Sequence, residues 1–341
     1  MDTRPPKTGT KTSAPYYTPQ VLRTLSQKCT LGEVSRGAIT FKNALGPAKN
    51  MSGGYACTSV GCTLNGTVPY VYKKFGQEQY AFPEDRFLEC AREVIMTTLA
   101  WQAAPQYVSP LRHFGIHREG TPEVAPFLMS FDHGVSLSEF LARPTVALNM
   151  TVKRELCLRL LRALTALHAS GIYHGDLRSA NVVLSPSKCE NLVLIDFGLA
   201  RRETRPGLPV DNFVRSRWTS PQPVAFQSKG NVYAPEYYRG GPTAATDMWS
   251  LAPLLVRILI RDARDALRGI EDTHWQTTVG DILRLRQRNP AVASRIWKLV
   301  LDCAAVKPLA RMTSGSLSRV FENTRVTRVG SDEKLVSSGA A

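Results

Sequence analysis

Residues 174–181 read His174, Gly175, Asp176, Leu177, Arg178, Ser179, Ala180, Asn181, so a carboxylate and a carboxamide stand five residues apart. Asp196, followed by Phe197 and Gly198, comes fifteen residues after Asn181. Carboxylate and carboxamide oxygens are hard ligands for a small divalent cation, and a carboxylate can also take a proton from a hydroxyl. The same residue types cap turns, which is the alternative reading of Asp176 and Asn181. Each group lies beside a short apolar run, residues 182–184 and 192–195, of the kind that forms a buried strand.

The elements that must carry these residues change character near Asp132 to Gly134. Before that point the chain is mostly short β-type runs: Tyr70, Val71, Tyr72 and Phe75 form one and residues 126–131 another. One helix interrupts them, over 83–101, where Phe87, Leu88, Ala91, Val94, Ile95, Thr98 and Leu99 recur at three and four, with Glu89 and Glu93 on a shared face. After that point helical periodicity dominates. Leu156, Leu160, Leu164 and Leu167 make one stripe over 155–168, stopped by Ser170 and Gly171. A chain of 341 residues has room for about two globular units. Its 43% hydrophobic and 21% charged residues exclude disorder, collagen and a coiled-coil rod for the chain as a whole.

The pairing of the 174–181 stretch with Asp196-Phe197-Gly198 resembles the catalytic loop and D-F-G motif of the protein kinase superfamily. Ala234, Pro235, Glu236 resembles its A-P-E, and Asp247, Met248, Trp249, Ser250 the D-x-W-S opening of its central helix. The resemblance implies an α+β, two-lobed fold: an N-lobe over 35–131, a hinge at 132–134 and a mostly helical C-lobe over 135–325. Basic tail residues 1–34 and the segment 326–341 are expected to be flexible. Phosphoryl transfer needs positioned charge more than covalent help. The resemblance accordingly makes Asp176 the base, Asn181 and Asp196 the Mg²⁺ ligands, and Arg178 a group reaching the transferred phosphate. Arg311 falls where the family pairs an Arg with the A-P-E glutamate, here Glu236.

In the first part of the chain, Tyr70 to Lys74 resembles V-A-I-K, which makes Lys73, rather than Lys74 on the opposite strand face, the partner of the ATP phosphates. Glu93 is the preferred partner for that lysine over Glu89. Gly53, Gly54 and Tyr55 fall on the phosphate-covering loop, where Met51, Ala56 and Thr58 replace two glycines and a valine of the family pattern. Gly175 replaces the arginine that in the family pairs with an activation-segment phosphate, which implies activity independent of such phosphorylation. Pro253 should kink or delay the helix starting near Asp247. The general style of divergence resembles kinases encoded by large DNA viruses, herpesviruses among them.

The activity implied is transfer of the ATP γ-phosphoryl group to Ser/Thr hydroxyls of proteins, by a monomer using Mg²⁺. The stretch Asp176 to Asn181 also resembles the D-L-R-A-A-N of tyrosine kinases, and H-G-D-L also occurs in small-molecule phosphotransferases. A pseudokinase that only binds is the alternative of a different class. The formal charge is +15, and residues 199–233 carry six basic and two acidic side chains, which favours acidic or already phosphorylated peptides. No aromatic-basic module for nucleic acid is visible. Seven widely spaced cysteines without a C-x-x-C pair argue against a disulfide framework or zinc site, and no apolar leader or span is present, so a cytosolic or nuclear protein is expected.

Overall fold

The structure is a computed structural model. It describes residues 39–41, 57–64, 68–75, 83–118, 124–142, 148–185, 191–203, 234, 236, 241–259, 294–305, 307–329 and 332–337. These fall into two compact units, residues 1–91 with 112–129, and residues 92–111 with 130–341.

The first unit is built on a five-stranded sheet. Strands β1 (Ile39–Phe41), β2 (Cys57–Leu64), β3 (Val68–Phe75), β4 (Leu111–Arg118) and β5 (Val124–Phe131) lie in the order β1-β2-β3-β5-β4. Alternation along β3 buries Tyr70 and Tyr72 on one face, and Tyr72 stacks on Phe127 of β5 with ring centroids 5.0 Å apart. The antiparallel register sets Lys73 opposite Ser59 and Lys74 opposite Thr58.

Helix α1 (Pro83–Ala103) extends two residues beyond the periodic stripe read from the sequence. From Arg92 onward its residues pack with the second unit. The reason is packing: Met96 and Ala100, with Ala104 and Val108 just beyond, are buried in the large core of the second unit.

That core is built around helix α3 (Met150–Ala169), which follows β6 (Val135–Ser136) and the short α2 (Leu137–Ala142). All four leucines of the expected stripe are fully buried. The helix begins five residues before that stripe because Asn149 caps it, its Oδ1 accepting from Val152 N at 2.9 Å. Strands β7 (Ile172–Tyr173), β8 (Val182–Leu184), β9 (Leu192–Leu194) and β10 (Arg201–Arg202) follow. They give a β6-β8-β9 sheet and a separate β7-β10 pair.

Helix α4 (Ala244–Leu259) runs unbroken through Pro253, contrary to the expected delay. A proline inside a helix costs about 3 kcal/mol. Leu251, Leu254 and Leu255 around it are buried, and each such side chain contributes about 1.5–3 kcal/mol, so packing offsets the lost hydrogen bond. Among the described residues, helices α5 (Ser294–Cys303) and α6 (Ser314–Glu322) complete the helical part.

The segment after 325, read as a flexible tail, instead forms most of a hairpin of β11 (Thr324–Val329) and β12 (Asp332–Ser337). Leu335 is fully buried in the core of the second unit, and Glu333 Oε2 accepts from Met150 N at 2.8 Å. A carboxylate at the first turn of α3 meets one of its unpaired amides and the positive end of its dipole. Among the described residues, no helix is long and apolar enough to cross a membrane.

Candidate active site

The loop between β7 and β8 carries Asp176, Arg178 and Asn181, and its shape is imposed from below by one buried carboxylate. Asp247, in the first turn of α4 and 1% exposed, accepts from His174 N at 2.8 Å through Oδ2 and from Gly175 N at 2.9 Å through Oδ1. The Nε2 of His168 also lies 2.9 Å from Asp247 Oδ2. Backbone amides directed at a buried carboxylate satisfy a charge that would otherwise be costly to bury. Gly175 has φ +76°, and a Cβ there would lie 2.6 Å from Pro242 Cγ and 2.7 Å from Leu199 O. The arginine of the family pattern therefore has no room at this position.

The buried His174 ring bridges two parts of the site. Its Nδ1 accepts from Asp176 N at 3.2 Å, so the neutral ring carries its proton on Nε2, which donates to Ile195 O at 3.1 Å. The same ring packs on the buried Phe197 with centroids 4.7 Å apart.

Asn181 closes the loop. Its Nδ2 donates to the backbone O of Asp176 at 2.8 Å and to Asp176 Oδ2 at 2.9 Å. Arg178 Nε stands 3.6 Å from the same Oδ2, an ion pair without a hydrogen bond. Across the β8–β9 pairing, Ile195 N donates to Asn181 O at 3.0 Å, which puts Asn181 and Asp196 at the same end of that hairpin. Asp196 has φ 61°, and among the described residues it is the one non-glycine in the left-handed region. Asp tolerates that conformation better than most residues, and its Oδ1 accepts from Gly198 N at 3.4 Å.

Glu93, 4% exposed, is brought to this group from α1, whereas Glu89 is half-buried. A Cβ built on Gly198 would lie 3.1 Å from Glu93 Oε2 and 3.2 Å from Asp196 Oδ1, so two carboxylates flank this glycine and a side chain there would part them. The neighbouring Arg92, also buried, donates from Nη2 to Ala200 O at 3.0 Å. Adjacent residues of α1 thus lie at both ends of the turn from Gly198 to Ala200. Lys73, on β3 of the first unit, is half-buried with its Nζ 5.6 Å from the centroid of the Phe75 ring. Gly53, Gly54 and Tyr55 lie outside the described residues, as do residues 204–233 of the expected activation segment and the tail 1–34.

Glu236 and Arg311 meet as the sequence implied, through a two-pronged contact of Arg311 Nη1 with Oε1 and of Nη2 with Oε2, the latter at 3.1 Å. Arg311 also donates to Ala305 O at 2.7 Å and Ala245 O at 2.8 Å, and its guanidinium lies 4.8 Å from the Trp249 ring centroid. Tyr173, preceding the loop, donates to Glu203 Oε2 at 2.6 Å; desolvation first, and that hydrogen bond second, push its pKa up to about 12.

The buried stations of Asp247, His174 and Arg92 were not assigned a role from the sequence. The available signal was the apolar setting of each: Asp247 precedes Met248-Trp249 in a hydrophobic helix, and a charge so placed needs partners.

The protein kinase domain family matches residues 106–321, 63% of the chain, a stretch holding Asp176, Asn181, Asp196, Glu236, Asp247 and Arg311. The chain belongs to the protein kinase domain family. Over 125 residues this kinase domain is 33% identical to the mitogen-activated protein kinase spk1 of Schizosaccharomyces pombe, which covers 36% of the chain and 29% of that protein. It is 27% identical over 201 residues, 58% of the chain and 34% of the relative, to the serine/threonine-protein kinase PkaA of Streptomyces coelicolor. It is 26% identical over 184 residues, 52% of the chain and 36% of the relative, to the serine/threonine-protein kinase SKS1 of Saccharomyces cerevisiae. The chain thus spans only about a third of the length of these curated relatives. Lys73 and Glu93 precede the matched stretch of the kinase domain.

Proposed function

We propose that this kinase domain transfers the γ-phosphoryl group of ATP to Ser/Thr hydroxyls of protein substrates. The observation that carries the reading is Asn181 Nδ2 bridging the backbone and carboxylate oxygens of Asp176, because it fixes one carboxylate for a hydroxyl while turning the amide oxygen of Asn181 to other use. In this reading Asp176 orients the attacking hydroxyl and takes its proton as the new O–P bond forms and the bond to the departing ADP breaks. The donor set suits Mg²⁺: the amide oxygen of Asn181 and the carboxylate of Asp196 are hard ligands, and Mg²⁺ sites commonly add substrate phosphates and water to one or two such groups. Held by Asn181 and Asp196, Mg²⁺ would supply positive charge to offset that of the nucleotide phosphates.

Arg178, held near Asp176, serves the transferred phosphate, and Lys73, for which Glu93 is the preferred partner, serves the nucleotide phosphates, with Gly53, Gly54 and Tyr55 covering them. The Ser/Thr preference is supported by the names of the relatives, and the +15 charge supports acidic or phosphorylated protein substrates. The kinase domain then occupies residues 35 to about 325, with the hairpin packed on it.

Radiolabelled ATP with a generic acceptor protein, followed by phosphoamino-acid analysis, tests this. Asp176→Asn is expected to lose about 10²–10⁴-fold in rate and Lys73→Met to abolish transfer, with Lys74→Met active. Equal phosphate incorporation by Asp176→Asn and the parent removes the catalytic role, and label found only on tyrosine replaces the hydroxyl class.

A further inference from the structure

Arg257 is a cation set in an otherwise apolar stretch, in the last turn of α4 between the buried Val256 and Ile258. It does not simply point to solvent: it is half-buried, and its Nη1 donates to Ser179 Oγ at 2.8 Å. Ser179 is fully buried and opens the single 3₁₀ turn Ser179–Asn181. Arg178, at the cap of that turn, makes no side-chain capping bond to it. The turn ends on Asn181, whose side chain holds Asp176.

Asp247 and Arg257 are ten residues apart on one helix, about 15 Å along its axis. The acidic group grips the loop at its entry, through the amides of His174 and Gly175, and the basic group grips it at its exit, through the hydroxyl of Ser179. A loop tied at one end can pivot about that end. Tied at both to a rigid helix, it presents Asp176 in one place.

We propose that Arg257 is a positioning residue for phosphoryl transfer, acting through Ser179 on the Asp176–Asn181 pair. This rests on the kinase reading above. Because Arg257 acts on the placement of the base and not on the nucleotide, its loss lowers kcat and leaves KM for ATP near the parent value. The losses from Arg257→Ala and Ser179→Ala are also one loss, so the double variant adds nothing to either single.

Two measurements test this. Hydrogen exchange across residues 174–181 is expected to speed about tenfold or more in Arg257→Ala, with α3 unchanged. Ser179→Ala, which removes only a hydroxyl, gives the same acceleration and decides the matter should Arg257→Ala fail to fold. Steady-state kinetics are expected to show kcat down about tenfold in either single variant, no further fall in the double, and partial recovery in Arg257→Lys, which restores a donor. Parent-like loop exchange in both Arg257→Ala and Ser179→Ala overturns the proposal, as does full additivity of their kinetic losses. Equal activity of Asp176→Asn and the parent instead overturns the kinase reading, and the exchange result judges the two-point anchoring whichever way that falls.

Discussion

Giving the chain back the arginine of its family, Gly175→Arg, should damage it. Two costs add. A non-glycine residue held at φ +76° pays about 1–2 kcal/mol. Its Cβ must also displace Pro242 Cγ at 2.6 Å and the carbonyl oxygen of Leu199 at 2.7 Å. The latter is backbone and cannot rotate away, and overpacking of that kind costs about 1–3 kcal/mol. A total near 3 kcal/mol corresponds to a Tm lowered by about 6–12 °C for a domain of this size. Gly175→Ala carries the same Cβ and should show most of the effect, which separates geometry from the guanidinium. Since Gly175 N is held by Asp247, the displacement also reaches Asp176, and phosphate incorporation should fall by more than the unfolded fraction explains. Gly315→Ala supplies the opposite sign: its Cβ would meet Thr165 Cγ2 at an ordinary 3.6 Å within α6, so a gain of about 0.5–1 kcal/mol is expected. Differential scanning fluorimetry with urea titration reads all three. A Gly175→Arg variant with parent Tm and parent rate would refute the packing argument.

Arg311→Ala should cost about 3 kcal/mol in urea unfolding, since it strands Glu236 and removes the hydrogen bonds that Arg311 gives to the carbonyls of Ala245 and Ala305; Glu236→Gln, which keeps a hydrogen-bonding partner, should cost clearly less. The raised pKa of Tyr173 means that the folded chain keeps a proton that the unfolded chain gives up. Its contribution is complete below about pH 10 and lost as pH rises towards about 12, so Tyr173→Phe should flatten alkaline destabilisation over that window. Burial pushes the Cys303 thiol up to about 12 and Cys157 higher still, so alkylation at pH 8 should spare both in the native chain and label both in urea.

Much of the local structure could be read in advance because it depends on local pattern. The leucine stripe of α3, the apolar runs beside residues 174–181 and Asp196, and the alternation along β3 each decide burial within a few residues. The grouping of Asp176, Asn181 and Asp196 came from the resemblance of their two motifs to the kinase pattern, each motif beside an apolar run. What escaped depends on contacts between distant segments. Nothing near Gly175 announces that Pro242 fills the space of its missing side chain, and nothing near Ser179 announces Arg257, 78 positions later. Pro253 was read by its intrinsic cost alone, without the buried leucines that outweigh it. The hairpin was missed because its turn and the residues beyond are Gly- and Ser-rich, while its fully buried anchor, Leu335, comes directly after three charged residues and has only Val336 as an apolar neighbour in sequence.

That hairpin bears on how the protein is handled. A shortened version ending at 325, where a family boundary would suggest cutting, discards the Leu335 plug and the carboxylate that finishes the start of α3. Purification tags and fusion partners for this chain therefore belong downstream of Ser337, with the whole strand kept upstream of the junction.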